Sequence, residues 1–219
     1  MATIQQLRIA DKPATWAGLG FAVKDDVCRV GGVPIRLAGR DARPDPGPGS
    51  GLVGWTLDGI ASEQLDGLPT TLAEVSPAAA SSGDASPHPN GITALDHVVA
   101  ITPALDRTVA ALQAVGLDLR RVREESTPAG APRQAFFRLG EVILEVVQAP
   151  DDAIERSGGP DGPAFFWGLA FKVADLDATV AALGAERCSG PRPAVQPGRR
   201  IATLRRSVGL ALPVALMTE

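Results

Sequence analysis

Cysteine is scarce in this chain, with Cys28 and Cys188 as the only two in 219 residues. Two thiols so far apart form neither a disulfide framework nor a zinc-type cluster, and a reducing cytoplasm would keep both reduced. We predict that Cys28, inside the apolar stretch 27–30, is a packing residue, because free cysteine is commonly buried. Glycine-rich phosphate loops, nucleophile elbows and paired CxxC motifs are also missing, so none of these signatures indicates the chemistry.

The chain also lacks an excess of positive charge. Its 21 Lys and Arg are outnumbered by 25 Asp and Glu, which gives a net charge of −4. This balance disfavours nucleic acid and anionic membranes as partners. No run of about 18 apolar residues occurs, and the N-terminus lacks the charged and apolar regions of a secretory signal. We therefore expect a soluble, cytoplasmic protein whose partner is a small-molecule ligand.

The length and the 45% hydrophobic content suit one large domain or two small ones. Residues 41–51 and 76–91 are too rich in Pro, Gly and Ser to pack, and the second stretch is the favoured boundary. The predicted organisation is a degenerate N-terminal βαβββ-like unit plus an extra strand (1–75), a linker (76–91), and paired βαβββ units (92–219, with units at 92–150 and 163–219).

An internal repeat supports the pairing of units in the C-terminal region. The pattern Leu-Asp-x-Thr-Val-Ala-Ala-Leu occurs at 105–112 and again 71 residues later, at 176–183. Each copy has helical spacing of apolar residues, follows a strand-like run and precedes further short strands. Repetition of this kind predicts a fold built from duplicated units.

The predicted elements of the two units match one another. The first unit has strands at 93–101, 117–122, 133–139 and 141–148, the second has them at 165–173, near 187, at 200–205 and at 210–217. The N-terminal region echoes the unit more weakly. Its predicted elements are a strand at 3–9, a helix at 12–19, a hairpin at 27–38 and one additional strand at 52–58.

Strand alternation sorts the side chains of the last strand of the first unit into two faces. Val142, Leu144 and Val146 form an apolar face that should lie against the helices. Glu145 then points to the opposite face, and in the first strand His97 shares a face with apolar neighbours. A carboxylate and an imidazole are thus expected to line a cavity on the face away from the helices.

The paired units, the sequence LDHVVAITPALDRTVAAL with His97, and the sequence LGEVILEVVQ with Glu145 resemble the vicinal-oxygen-chelate superfamily. That group includes glyoxalase I, extradiol dioxygenases, methylmalonyl-CoA epimerase and bleomycin-resistance binding proteins. The resemblance covers 92–219 and implies an α+β fold, in which the units pair into a cupped mixed sheet with helices on its convex face. It also implies a divalent metal in the cup, such as Zn, Ni, Mn or Fe, held by His97 and Glu145. Glu145 would in addition be the catalytic group.

The second unit departs from the metal pattern at both positions. Gly168 aligns with His97, Ala215 aligns with Glu145, and in the N-terminal unit Arg36 takes the carboxylate position. The first-strand counterpart there is Ala2 or Ile4, depending on the gap chosen. Two protein ligands fall short of the usual three. The alternatives are a third ligand from His88 or Gln134, a second subunit in a homodimer, or a cup without metal.

Five further side chains are candidates for substrate binding: Gln134, Phe136, Arg138, Arg199 and Arg200. The alternatives are an ordinary strand surface for the first three, with Arg138 pairing with Glu145, and a solvated loop end for Arg199 and Arg200. Trp16, Trp55 and Trp167 are predicted to be core residues.

The leading interpretation is a glyoxalase-like protein, a lyase, isomerase or dioxygenase, that acts on a small oxygenated molecule through the metal. The alternative is a bleomycin-resistance-like binding protein that holds a ligand without metal or turnover. In a third interpretation the N-terminal unit is an interaction or dimer surface.

Overall fold

The computed structural model describes residues 1–43, 51–74, 86–126, 130, 132–156 and 159–219. Residue 75, the first ten residues of the predicted linker (76–85) and most of the first Pro/Gly-rich stretch (44–50) lie outside the described residues. Within the described part, no helix is long and apolar enough to span a membrane. The chain forms two mixed sheets with few helices, which confirms the predicted α+β architecture.

The N-terminal sheet has six strands in the order β2-β3-β4-β1-β5-β6. Its elements are β1 (Thr3–Ile9), α1 (Pro13–Ala17), β2 (Val23–Lys24), β3 (Val27–Val30), β4 (Val33–Leu37), β5 (Leu52–Asp58) and β6 (Thr70–Leu72). The first four strands and α1 make a complete βαβββ unit in which β1 runs parallel to β4. Two strands of a shortened second unit follow, because β5 pairs with β1 and the short β6 runs parallel to β5.

The C-terminal sheet has eight strands in the order β12-β13-β14-β11-β7-β10-β9-β8. Its first unit contains β7 (Ile92–Thr102), α2 (Leu105–Ala114), β8 (Asp118–Arg123), β9 (Gln134–Leu139) and β10 (Val142–Gln148). A short helix, α3 (Asp151–Arg156), leads to the second unit, which contains β11 (Phe165–Val173), α4 (Leu176–Leu183), β12 (Arg192–Pro193), β13 (Arg200–Thr203) and β14 (Val214–Met217). The units join where β7 and β11 pair antiparallel at the centre of the sheet.

The predicted alternation in the last strand of the first unit is confirmed. Val142, Leu144 and Val146 are buried, and Leu112 of α2 is buried with them in one core. Full burial of each such side chain contributes about 1.5–3 kcal/mol, so this face fixes the register of β10. Glu145 consequently lies on the other, concave face.

Strand register shows which residues correspond between units. Glu145 pairs with Val99, Ala215 pairs with Ala170, and Arg36 pairs with Arg8. Val33 and Val142 each close a two-residue hairpin turn, and Arg36 and Glu145 each lie three residues later, which supports their alignment. Ala170 follows Val99 by the repeat spacing of 71 residues, which supports the alignment of Ala215 with Glu145. Because Arg36 pairs with Arg8 and Glu145 pairs with Val99, Arg8 corresponds to Val99. The counterpart of His97 is then Gln6, which corrects the prediction of Ala2 or Ile4. A β-bulge at Gln5 shifts the register of β1 and hides this match in the sequence.

The N-terminal sheet packs against the C-terminal domain through buried aromatic rings. Trp55 lies 4.9 Å from Phe166 between ring centroids, and Phe171 contacts Trp16 and Phe21. Trp16 and Trp55 are therefore core residues as predicted. Cys28 and Cys188 are buried free thiols.

Candidate functional site

His97 and Glu145 lie on adjacent parallel strands of the concave face. His97 pairs with Ile143, so Glu145 is one row farther along the sheet, opposite Val99. Nε2 of His97 lies 3.5 Å from Oε2 of Glu145, and both side chains are mostly buried. The structure thus brings together the two residues that the sequence motifs single out.

Asp96 is a member of this group that strand alternation misses. A β-bulge inserts Asp96 between the residues of β7 that pair with Phe171 and Ala170 of β11. A bulge turns two consecutive side chains toward one face. Oδ2 of Asp96 therefore lies 2.8 Å from Nδ1 of His97, its neighbour in the chain. No signal in β7 alone predicts the bulge, because it depends on pairing with β11.

Arg199 binds the other side of Asp96. Its guanidinium donates to both carboxylate oxygens, at 2.9 and 3.2 Å, and Lys172 lies 3.9 Å away. Burial opposes ionisation of Asp96, but the hydrogen bonds from His97 and Arg199 outweigh it and lower the pKa of the carboxyl. An ionised carboxylate only accepts, so Nδ1 of His97 carries the proton. This arrangement turns Nε2 of His97 toward Glu145.

The surroundings of Glu145 shift its pKa in both directions. Burial raises its pKa; the nearby His97 lowers it, Asp96 raises it, and the hydrogen bond from Nε2 of Gln134 lowers it, with a raised pKa as the result. Oε1 of Gln134 is buried and has no hydrogen-bond partner within the described part of the chain. A buried acceptor left in this state is costly unless a ligand or water satisfies it.

The remaining substrate-binding candidates divide between this site and other places. Phe136 lies directly opposite Glu145, with Arg121 stacked 5.0 Å from its ring centroid. Arg138 turns away to the carbonyl of Gly140 and to Glu141, so the alternative ion pair between Arg138 and Glu145 does not form.

Arg200 forms a two-pronged ion pair with Asp177 at the start of α4. Its neighbour Arg199 is the arginine that reaches the site, through Asp96. Arg200 is the first residue of β13, whereas Arg199 lies just before the strand and donates to the carbonyl of Thr218 as well as to Asp96.

The second unit has lost its side chains at the equivalent positions, and packing explains one of them. A Cβ atom at Gly168 would lie 2.6 Å from the backbone oxygen of Pro213, so no larger residue fits without backbone movement. The prediction that Trp167 is a core residue is wrong, because the residue is 37% exposed. A bulge at Trp167 interrupts the alternation on which that prediction depended.

The residues present do not fit a divalent metal centre. Among the described residues, no three His, Cys, Asp or Glu side chains cluster closely enough to hold an ion. Asp96 is engaged by Arg199, and Gln134 presents its amide nitrogen to Glu145. His88 is not a third ligand, because Nδ1 accepts from the amide of Ala22 and Nε2 contacts the carbonyl of Arg29.

A second subunit is also a poor source of ligands. Both edges of β7 are already paired within the chain, one with β10 and one with β11. Pairing of the first unit with its own copy would require β11 to be displaced.

No protein-family model and no curated protein sequence significantly matches this chain. Several solved structures do. Methylmalonyl-CoA epimerase from Mycobacterium tuberculosis is 19% identical over 58% of this chain and 89% of its own, with a TM-score of 0.48. The Streptomyces coelicolor methylmalonyl-CoA epimerase in complex with 2-nitronate-propionyl-CoA is 23% identical over 58% and 98%, with a TM-score of 0.47.

A third structure matches nearly the whole chain. It is a fusion of a xylose isomerase-like TIM barrel with 4-hydroxyphenylpyruvate dioxygenase, 14% identical, with a TM-score of 0.61. The match covers 99% of this chain and 48% of the fusion protein. Both sheets are therefore included in the shared fold. The match shows a shared fold over nearly the whole chain, which agrees with the α+β fold that the resemblance implies.

Proposed function

We propose that the concave face around Glu145 binds a small oxygenated molecule, and that Glu145 and His97 exchange a proton with it. The protein would then be a glyoxalase-like enzyme of the lyase or isomerase type. One observation carries this proposal. A buried carboxyl with a raised pKa faces Nε2 of an imidazole whose other nitrogen is fixed by Asp96. Perturbed ionisable groups that act on one another are typical of functional sites.

The proposed chemistry follows from the protonation states. Ionised Glu145 would take a proton from a carbon next to a carbonyl, and the electron pair of the broken C–H bond would move onto the carbonyl oxygen. The raised pKa makes Glu145 a stronger base than an exposed carboxylate. Nε2 of His97 can then receive the proton and return it to the substrate. The charge of Arg123 also acts on Glu145 and would favour the developing oxyanion.

The metal-dependent version of the reaction, dioxygenase chemistry included, is not part of this proposal because the ligand set does not fit. The second candidate is a metal-free binding protein without turnover. Gly168 and Ala215 favour it, since half of the expected ligand positions carry no functional group. The unpaired Oε1 of Gln134 favours it as well, because an N–H or O–H group of a ligand would satisfy that acceptor.

Deuterium exchange tests the proton transfer directly. The protein would be incubated in D2O with small carbonyl compounds such as pyruvate, 2-oxobutyrate and dihydroxyacetone, and exchange at the carbon next to the carbonyl would be followed by NMR. Glu145→Gln should lower the exchange rate by about 100-fold to 10,000-fold. Glu141→Gln on the same hairpin is the matched control, because that side chain is 93% exposed.

His97→Ala separates the two candidates. An enzyme should lose exchange in this variant, whereas a binding protein should retain most of its affinity for a bound compound. If a compound binds at this face without any exchange above the protein-free rate, the binding protein is the better description.

A further inference from the structure

The concave face of the N-terminal sheet carries two arginines side by side. Arg8 on β1 and Arg36 on β4 are Cα partners in the parallel pairing of these strands. Partners in a pairing point to the same face, so the two guanidinium groups extend from adjacent positions, and both residues are exposed. This pair occupies the place in the N-terminal unit that Val99 and Glu145 occupy in the first C-terminal unit.

The surroundings of the pair are polar. Gln6, the counterpart of His97, lies two residues before Arg8, and Thr56 on β5 is the Cα partner of Gln6. Thr71 on β6 pairs in turn with Thr56. The corresponding rows in the C-terminal cup hold the carboxylate and the imidazole of the candidate site. The N-terminal cup therefore has the same architecture with the opposite charge.

Neither arginine has a carboxylate partner within 4 Å in the described part of the chain, although acidic residues outnumber basic ones overall. Other arginines do have such partners, among them Arg40, Arg107, Arg133, Arg199 and Arg200. Like charges directly opposite each other destabilise a sheet. An anion between Arg8 and Arg36 would remove that repulsion.

A cleft of about 380 Å³ lies at this place. Its lining residues are Arg8, Pro13, Asp26, Arg36, Leu37, Ala38 and Gly39. Ligand sites for small molecules begin at about 300 Å³, so the cleft has room for a small metabolite. Asp26 also lines the cleft and would repel a second negative charge, which favours a ligand with a single anionic group directed at the arginines.

We propose that the N-terminal cup binds the carboxylate or phosphate group of a small molecule between Arg8 and Arg36. Guanidinium forks match the paired oxygens of both groups, and two of them from adjacent strands can hold one anion from two sides. The site is separate from the one around Glu145, and it does not depend on the function proposed there.

Titration of the full chain with anions tests this site. Sodium phosphate and sodium acetate would be added separately at low ionic strength, with binding followed by NMR shifts of the backbone amides of Leu37 and Gly39. We expect saturable binding of at least one anion at millimolar concentrations, and the tighter of the two identifies the group. Arg36→Gln and Arg8→Gln should each weaken binding roughly tenfold.

The control is Arg192→Gln, which removes an exposed arginine of β12 and should leave affinity unchanged. Thermal unfolding without anion gives a second readout. Arg36→Gln should melt at the same temperature as the original protein or higher, since it relieves repulsion, and this result also shows that the variant folds. The proposal is overturned if neither anion saturates, or if Arg192→Gln weakens binding as much as Arg36→Gln does.

Discussion

Asp96→Asn tests whether burial makes the Asp96–Arg199 ion pair contribute strongly to the free energy of unfolding. The chain offers two arginine–aspartate pairs with similar geometry. Arg199 binds Asp96 at 2.9 and 3.2 Å, and Arg200 binds Asp177 at 2.6 and 2.9 Å. The side chains of the first pair are 13% and 11% exposed, whereas those of the second are 45% and 66% exposed. Asp177→Asn is therefore a control with the same arginine geometry but greater solvent exposure, and it lacks the contact that Asp96 makes with His97.

The expected loss for Asp96→Asn is about 3 kcal/mol, the lower end of the range for removing one partner of a buried ion pair. The lower end applies because Arg199 keeps its bonds to the carbonyl of Thr218 and to Gln196, and because asparagine keeps one acceptor oxygen. For a chain of this size the loss corresponds to a fall in the melting temperature of roughly 6–12 °C. Asp177→Asn should not differ measurably from the original protein, since exposed pairs contribute little.

Urea unfolding at several pH values supplies the measurement. Folding lowers the pKa of Asp96, so its stabilising contribution is complete above the ordinary value of 3.8 and is lost as the pH falls below it. The difference in unfolding free energy between the original protein and Asp96→Asn should therefore narrow below a pH of about 4. Equal losses for Asp96→Asn and Asp177→Asn at neutral pH would refute the reasoning, and so would a difference that stays constant in acid.

Three further predictions concern the same face. Burial raises the pKa of Glu145, so the unfolding free energy should fall as the pH rises from the ordinary value of 4.5 through the raised pKa. In Glu145→Gln the unfolding free energy should not fall with pH in this range, and the variant should be at least as stable as the original protein at neutral pH. Denaturant titrations that show the same pH dependence of the unfolding free energy in both proteins would contradict this. Gly168→Ala should cost about 2 kcal/mol through overpacking against Pro213. Gly190→Ala, which has open space, should cost nothing in the same thermal scans. Loading with nickel, zinc or manganese should leave no stoichiometric ion after dialysis; a retained ion that His97→Ala abolishes would reinstate the metal centre.

The amino-acid sequence by itself determined the repeated units and the place of the two central site residues. The duplicated octapeptide defines the helices α2 and α4, because apolar residues at helical spacing form the face that packs on the sheet. Alternation in β10 puts Glu145 on one face of the strand and its buried neighbour Leu144 on the other, since a strand has only two faces. Both inferences rest on the spacing of residues within a single helix or strand, so they required no knowledge of which other elements pack against it.

Only the tertiary structure decided what surrounds those residues. Asp96 faces His97 because a bulge against β11 breaks the alternation of β7, and Arg199 reaches Asp96 from 103 residues away. A bulge in β1 likewise made Gln6 the counterpart of His97. Bulges and long-range ion pairs depend on which strands pair and in what register. That information belongs to contacts between distant segments, and the spacing of residues within one segment does not carry it.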